Sequence, residues 1–406
     1  MLGRNDMLVT NIIGNCPKCG TEASFGNVFV KGHILTRGCL RCDYSEHFYL
    51  PQTEKTVLYL DQFFLSHAFR EKVPEFVECI RLISNLADDQ LMVCPISSVH
   101  ETETHQWRHA QKDELWEFIK RTSRGHEFKP AYEIKRRQII QGFKMYLVQA
   151  QSEFPVTHSD ALPHDINEWE DYFWIDVGHY PSNVELTRRL KEDSISELVD
   201  AFPKWLQSAK SFQDHRAFEL RTAGDIYISL YRRMIQRIAV GDCSAIFDSP
   251  IDSKIVEAML HCFENERDLK EQLETVRSYF QSPYFSQVPC EYISTGLITV
   301  LRDRVKRGSF KNPEKAKKQL RGFFFDVDFI AAYAPYCDAM FLDTTMLSFV
   351  RDKRLAIEKR YGTKFYAKSN WGEFMDFLKS INARKTEELT RAIELVYPNK
   401  LGNAKT

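Results

Sequence analysis

The stretch from Phe324 to Asp343, FFDVDFIAAYAPYCDAMFLD, limits the architectures open to this chain more than any other. Asp326 and Asp328 open it. Phe329, Ile330, Ala331, Ala332 and Ala334 follow, an apolar density that suits a buried helix. Pro335 ends that helix, because proline has no backbone donor and its ring clashes with the preceding turn. Ala339-Met340-Phe341-Leu342 is apolar on both faces of a pleat, the pattern of a strand inside a parallel sheet. Asp343 closes the strand. Ligands of open α/β sheets bind beyond the carboxyl ends of the strands. Asp343, with an acid at the head of the preceding helix, therefore makes half of a candidate metal site.

At 406 residues the chain has room for two or three domains. The net charge is -1, so contact with nucleic acid needs a local basic surface rather than a polycationic chain. No apolar run approaches the roughly 18 residues that span a bilayer. The N-terminal MLGRNDMLVTNII lacks the apolar core and cleavage site of a secretory signal. Of ten cysteines, four form two CxxC pairs and six are scattered among apolar residues. That distribution predicts a soluble protein of a reducing cytoplasm, not a disulfide framework.

Cys16-Pro17-Lys18-Cys19 and Cys39-Leu40-Arg41-Cys42 are two knuckles around a short β-rich stretch. Four thiolates at this spacing complete a closed tetrahedron, so residues 1–52 read as a structural zinc ribbon with no open coordination position. Gly20 and Asp43, just after each second cysteine, suit tight turns. Unliganded core cysteines would not need paired spacing, and no βαβ pattern surrounds either pair to suggest a redox dithiol. His33 and His47 read as surface residues. Three roles are open to the ribbon: binding nucleic acid, binding protein, or capping the next domain.

From Lys55 the pattern changes. Val57-Leu58-Tyr59-Leu60 is an apolar strand that ends at Asp61, and a helical stretch follows through Ile83. A strand-end Asp by itself is more often a cap or a turn residue. Leu91 to Ile96 forms a second strand, and Ser98 with Glu101 has the spacing of a capping box. Glu103 then falls on another face of the first helical turns, toward the carboxyl edge. His100 and His105 are read as packed or solvated before they are read as ligands.

Taken together, LYLDQFFLS, PISSVHETE, DVDFIAAYA and CDAMFLD resemble the PIN-like (PilT N-terminal) nuclease family. Its members have a compact parallel sheet with helices on both faces. They carry an acid after the first strand, a Glu on the helix after the second, an acid opening an alanine-rich helix, and an acid after the next strand. The resemblance maps these onto Asp61, Glu103, Asp328 and Asp343. Lys364 to Ala367 and a helix from Trp371 to Ile381 fit the family's ending. The matching pieces cover Lys55 to Lys112 and Phe323 to Ile381, less than half of the chain. Asp326 and Asp338 are extra acids and stand as alternative ligands. The implied organisation is the zinc ribbon (1–52), a discontinuous PIN-like domain (53–112 and 321–390), a helical insertion (113–320) far longer than the family's usual connection, and a C-terminal tail (391–406).

The resemblance implies metal-dependent phosphodiester hydrolysis. Carboxylates that converge raise one another's pKa unless a cation is present. Mg²⁺ or Mn²⁺ suits such oxygen ligands, aligns a water and stabilises the charge that develops on phosphate. Asp61 and Asp343 are the expected direct ligands. Glu103 and Asp328 are expected on the same ion, a second ion or a bound water. On family grounds the expected substrate is single-stranded RNA, cut internally, and the family context extends to toxin-like or anti-phage effectors with a protein partner or activator. The alternatives are a structure-specific DNase and a non-catalytic adaptor that keeps only the scaffold.

The long insertion reads as helical over Tyr132 to Ala150, Ser182 or Asn183 to Lys191, Asp193 or Ser194 to Phe202, Arg216 to Val240, and Leu269 to Phe280. Arg302, Arg304, Lys306 and Arg307, then Lys311, Lys315, Lys317, Lys318 and Arg321, lead into the acidic helix. Their place favours a phosphate-backbone track over a merely solvated face. Lys120, Arg121, Arg124, Arg136 and Arg137 form a second basic group. Trp107, Phe128 and Tyr132 are aromatic candidates for stacking on unpaired bases.

Overall fold

Strand chemistry divides the chain into two sheets. The computed structural model describes residues 9–70, 73–105, 107, 110–151, 153–171, 193–246, 250–263 and 268–398. β1 (Asn11–Gly14), β2 (Phe25–Lys31), β3 (Ile34–Cys39) and β4 (Ser45–Tyr49) form an antiparallel sheet in chain order. β5 (Thr56–Leu60), β6 (Met92–Val93), β7 (Ala339–Phe341) and β8 (Lys364–Tyr366) form a parallel sheet of order β6-β5-β7-β8.

Helices α1 (Gln62–Phe69) and α2 (Pro74–Asp88) follow β5, and α3 (Ser98–Thr104) and α4 (Ala110–Ser123) follow β6. The insertion contributes α5 (Ala131–Leu147), α6 (Phe212–Ala239), α7 (Pro250–Leu260), α8 (Leu269–Phe280) and α9 (Pro289–Lys306). α10 (Phe323–Tyr333) leads back to β7, and α11 (Thr344–Val350) leaves it. α12 (Trp371–Asn382) and α13 (Glu387–Val396) close the described chain. Among the described residues no helix is long and apolar enough to cross a membrane.

Side chains alternate along a strand, so each parallel strand feeds two cores, which is why these strands are apolar on both faces. Leu58, Leu60, Ala339, Phe341 and Tyr366 enter one core with Phe64 of α1, Phe76 of α2 and Phe374 of α12. Val57, Tyr59, Met340, Leu342 and Phe365 enter the other with Phe143 of α5, Tyr227 of α6, Tyr279 of α8, Leu297 of α9 and Phe329 of α10. Helices thus cover both faces, as expected. The insertion differs from a separable subdomain, because its helices share one continuous core with the sheet.

Three boundaries shift. Residue 112 falls inside α4, so the first half of the sheet domain extends past the boundary expected there. Residues from 391 are not a tail up to Val396. Thr386 caps α13, and its buried Leu389, Ala392 and Val396 lie at helical spacing on the sheet domain's core. α6 begins at Phe212 rather than Arg216, because Ser211 and Asp214 form a capping box. Residues 193–200 are helical as expected, and the helix expected up to Lys191 lies outside the described residues.

The antiparallel sheet docks through one face. Val30 and Leu35 join the core that holds Leu58 and Leu60. Asn27 Nδ2 donates to the carbonyls of Leu395 (3.1 Å) and Val396 (3.0 Å). The segment around Trp169 straps the two units: Trp169 Nε1 donates to the Pro51 carbonyl (2.9 Å), and Lys55 Nζ donates to the Glu168 carbonyl (2.8 Å). Glu170 pairs with Arg124 at 2.5 Å, and Arg124 also meets Asp88, so this arginine of the second basic group has a structural partner.

Candidate functional site

The four knuckle cysteines converge. Among the described residues they are the one group of metal-capable side chains whose ligand atoms all lie within 4.8 Å of one another. Cys16 Sγ is 3.6 Å from Cys42 Sγ, and Cys19 Sγ is 3.8 Å from Cys39 Sγ. Zinc–sulfur bonds of about 2.3 Å set the edges of a tetrahedron at about 3.8 Å. The thiols are not joined as disulfides. Backbone amides support them, with Cys19 N donating to Cys16 Sγ (3.5 Å) and Arg41 N to Cys39 Sγ (3.3 Å). Gly20 takes a φ of 70°, the left-handed turn that glycine accepts without strain. The donor set fits a structural zinc ion.

The acids occupy the carboxyl edge of the parallel sheet. Leu60 pairs with Phe341 in register, and Asp61 N donates to the Phe341 carbonyl at 3.1 Å. Asp61 therefore stands one residue past the paired position and Asp343 two past it, on neighbouring strands. Asp61 starts α1 without a capping hydrogen bond. Part of its surface meets solvent, yet protein crowds the carboxyl. Burial first, then the charges of Glu103 and Asp343, push its pKa up from 3.8 to about 8. Nearby amides of Phe63 and Gln62 offset part of that rise. Asp343 instead caps α11: its Oδ1 accepts from Thr345 N (2.6 Å) and Met346 N (2.9 Å). Asp61 thus feels the charges of Glu103 and Asp343, acids of two other segments, at one edge, although among the described residues the three do not form a closed ligand cage.

The other acids divide. α10 begins at Phe323, earlier than the sequence suggests, so Asp326 sits in its first turn with its carboxyl against Gly322. A carboxylate there is favoured by the helix dipole. Asp328 lies one turn from the start and is exposed. Asp338 is at the wrong end of β7 for the edge. Its Oδ2 accepts from Val57 N (2.7 Å), and its backbone bonds to Val57 and Lys364 knit the sheet's amino end.

Much of the expected basic track has structural work. Arg302 pairs with Glu219 at 2.5 Å and lies 4.6 Å over Trp205. Arg304 bonds Ser348 Oγ (2.7 Å) and covers Phe349 at 4.0 Å. Lys306 Nζ donates to the Lys210 carbonyl (2.7 Å), Arg307 pairs with Asp303 (3.0 Å), and Lys317 approaches Glu314 (3.9 Å). Lys318 and Arg321 remain exposed. Phe128 is core, and Tyr132 is exposed.

Two hydrogen bonds bracket the Asp61–Glu103 pair. The helix α3 starts at an N-cap of Ser97, not Ser98, and His100 takes the position expected of Glu101. Ser97 N donates to His100 Nδ1 (3.0 Å), and His100 Nε2 donates to the Leu60 carbonyl (2.7 Å). Both ring nitrogens are used, so His100 is a structural link and not a ligand. On the other side, Gln62 Nε2 donates to Thr104 Oγ1 (3.0 Å). Residues 60 and 62 are thereby tied to 100 and 104, one on each side of the two acids. Nothing in the sequence marks Gln62 for this role, since a lone glutamine carries no signal.

Burial lowers the His100 pKa from 6.5 to about 4. As pH falls from about 6.5 to about 4, the unfolded chain binds a proton that the folded protein refuses, so stability drops across that window. The loss attributable to His100 is about 3 kcal/mol. Urea melts of wild type and His100→Gln at pH values across this window are expected to show an acid-limb slope that the variant lacks. Parallel curves would remove the assigned role. No family model, curated protein or solved structure matches this chain.

Proposed function

We propose that the protein is a divalent-metal-dependent nuclease that cuts single-stranded nucleic acid, RNA before DNA. The reading rests on one observation. Asp61, Glu103 and Asp343 come from three separate segments to one edge of a parallel sheet, where burial and then the charges of Glu103 and Asp343 hold the Asp61 proton up to about pH 8. Such a cost is unusual unless a cation relieves it. The PIN-like resemblance supplies the family context, and the edge position of these acids agrees with it. Asp328 belongs to the same reading as an acid that would ligate the same ion, a second ion or a metal-bound water.

A bound Mg²⁺ or Mn²⁺ would supply charge neutralisation and an ordered water. Asp61 would hold it after losing its proton. Asp343 keeps Oδ1 on the α11 amides, which fixes the carboxylate and would leave its other oxygen for the ion. Glu103 is steadied by the two links that bracket it. The zinc ribbon contributes no chemistry in this reading, because four thiolates leave no open position.

The test is incubation of end-labelled single-stranded RNA, and DNA of the same sequence, with Mn²⁺. Wild type is expected to cleave, and Glu103→Gln and Asp343→Asn are expected to lose a hundredfold or more, roughly the upper range for disturbed metal sites. Asn at 343 can still cap α11, so the loss would not reflect a broken helix start. Equal cleavage by wild type and both variants would identify a contaminant. Metal-loaded wild type that cuts neither strand would end the proposal.

A further inference from the structure

The carboxyl edge does not stop at Asp343. Phe341 pairs with Tyr366, so Asp343 and Lys368 each lie two residues beyond the paired position, on adjacent strands. Asp61, Asp343 and Lys368 therefore stand just past the paired ends of three neighbouring strands. Lys368 begins a short 3-10 turn and is exposed. At the far end of α1, Arg70 is also exposed and lies 4.4 Å over the Trp107 ring. Trp107 is four residues beyond Glu103. Among the described residues, neither Arg70 nor Lys368 has a carboxylate partner.

His67 joins these cations. Its ring stacks on Phe76 at 5.2 Å and meets the edge of Phe63 at 6.1 Å. Phe76 in turn lies 5.1 Å from Trp371, the residue that opens α12 just after Lys368. Burial, then the charges of Arg70 and Lys368, lower the His67 pKa, so both cations act on the same spot. Sequence spacing does not reveal this rim, because its charges sit singly in separate segments.

We propose that the rim of His67, Arg70, Trp107 and Lys368 is a docking surface for the phosphate backbone of single-stranded nucleic acid, which it leads past the acids. Its placement beside the scissile bond rests on the nuclease reading above, whereas binding is read without catalysis. Exposed cations without a carboxylate partner among the described residues attract a polyanion. A partly exposed indole held flat by a guanidinium offers an unpaired base a face to stack on. The basic run before α10 is a weaker track, because most of its charges are tied to the protein itself.

The test is fluorescence anisotropy with a labelled single-stranded RNA, using zinc-loaded full-length protein and no added Mg²⁺ or Mn²⁺. Arg70→Ala with Lys368→Ala is expected to weaken binding on the order of tenfold at low salt and to flatten the salt dependence by about two charges. Trp107→Ala is expected to weaken it about fivefold or more with the salt slope unchanged. Thermal melts check that each variant is folded. Lys318→Ala with Arg321→Ala is expected to bind nearly as wild type. The proposal is overturned if the Arg70/Lys368 variant binds as wild type, if the Lys318/Arg321 variant carries the loss, or if a duplex is bound in preference to a single strand. Unchanged binding by the Arg70/Lys368 variant, with cleavage still lost in Glu103→Gln, would remove the rim and leave the nuclease. Lost binding in that variant, with a wild type that never cleaves, would do the reverse.

Discussion

Asp61→Asn is expected to make the metal-free protein more stable at about pH 8.5 and to abolish metal-dependent cleavage. The reason is a proton. Asp61 in the folded protein holds its proton up to about pH 8, against an ordinary value of 3.8. Between these limits the unfolded chain has released a proton that the folded protein keeps. Stability therefore falls as pH rises through the window and levels off above about pH 8. Asparagine resembles the protonated acid and has no such dependence. For a fully enclosed carboxyl a rise of this size would correspond to about 6 kcal/mol, but Asp61 is partly open to solvent, and about 2–4 kcal/mol is the expected gain. Urea melts at about pH 5 and about pH 8.5 check this: the gap between variant and wild type widens with pH. Mn²⁺ is expected to stabilise wild type most at the alkaline end, where its binding no longer has to displace the proton, and to leave Asp61→Asn nearly unmoved. Identical pH profiles for the two proteins would refute the strained carboxyl, and with it the observation that carries the proposed function.

How far the sequence foretells this arrangement depends on the residue. Asp61 and Asp343 are legible, because a buried parallel strand is an apolar run and an acid marks its end. The helices on both faces follow from the same runs. The start of α3 lies one residue away from its expected cap, since Ser97 and Ser98 are equivalent as caps in a string of letters. Only the backbone shows that His100, not Glu101, completes the box. Among the acids of α10, direction cannot be read from spacing: Asp326 folds onto the helix start and Asp328 faces solvent. The basic run misleads for a related reason. Charge is visible in a sequence, but the partner is not, and Glu219 reaches Arg302 only through the fold. Conversely, Arg70 and Lys368 look unremarkable until α1 and the turn after β8 bring both charges to bear on His67.

Loss of a zinc ion held by Cys16, Cys19, Cys39 and Cys42 is expected to unfold residues 9–49 and to loosen the sheet domain beneath them. The antiparallel sheet has a small core of its own, where Cys16, Phe25 and Cys39 are the buried residues. So few apolar contacts do not hold such a sheet together, and small domains of this kind depend on a staple. A structural zinc contributes about 10–16 kcal/mol in such settings, far more than the ribbon's own packing. Cys39→Ser is therefore expected to lose zinc and to become sensitive to protease within the ribbon. Cys94→Ala, which touches a buried cysteine outside the cluster, is expected to keep the metal. The damage should also spread. Val30 and Leu35 cover Leu58 and Leu60, and Asn27 holds the end of α13. With that cover gone, the strand that ends in Asp61 loses one wall, so the melting temperature of the whole chain should fall and not only the signal of the ribbon. Metal analysis with limited proteolysis and a thermal melt reads all three effects. A Cys39→Ser protein that stays protease-resistant without zinc would show that the knuckles pack without an ion, and that the sheet domain does not need them.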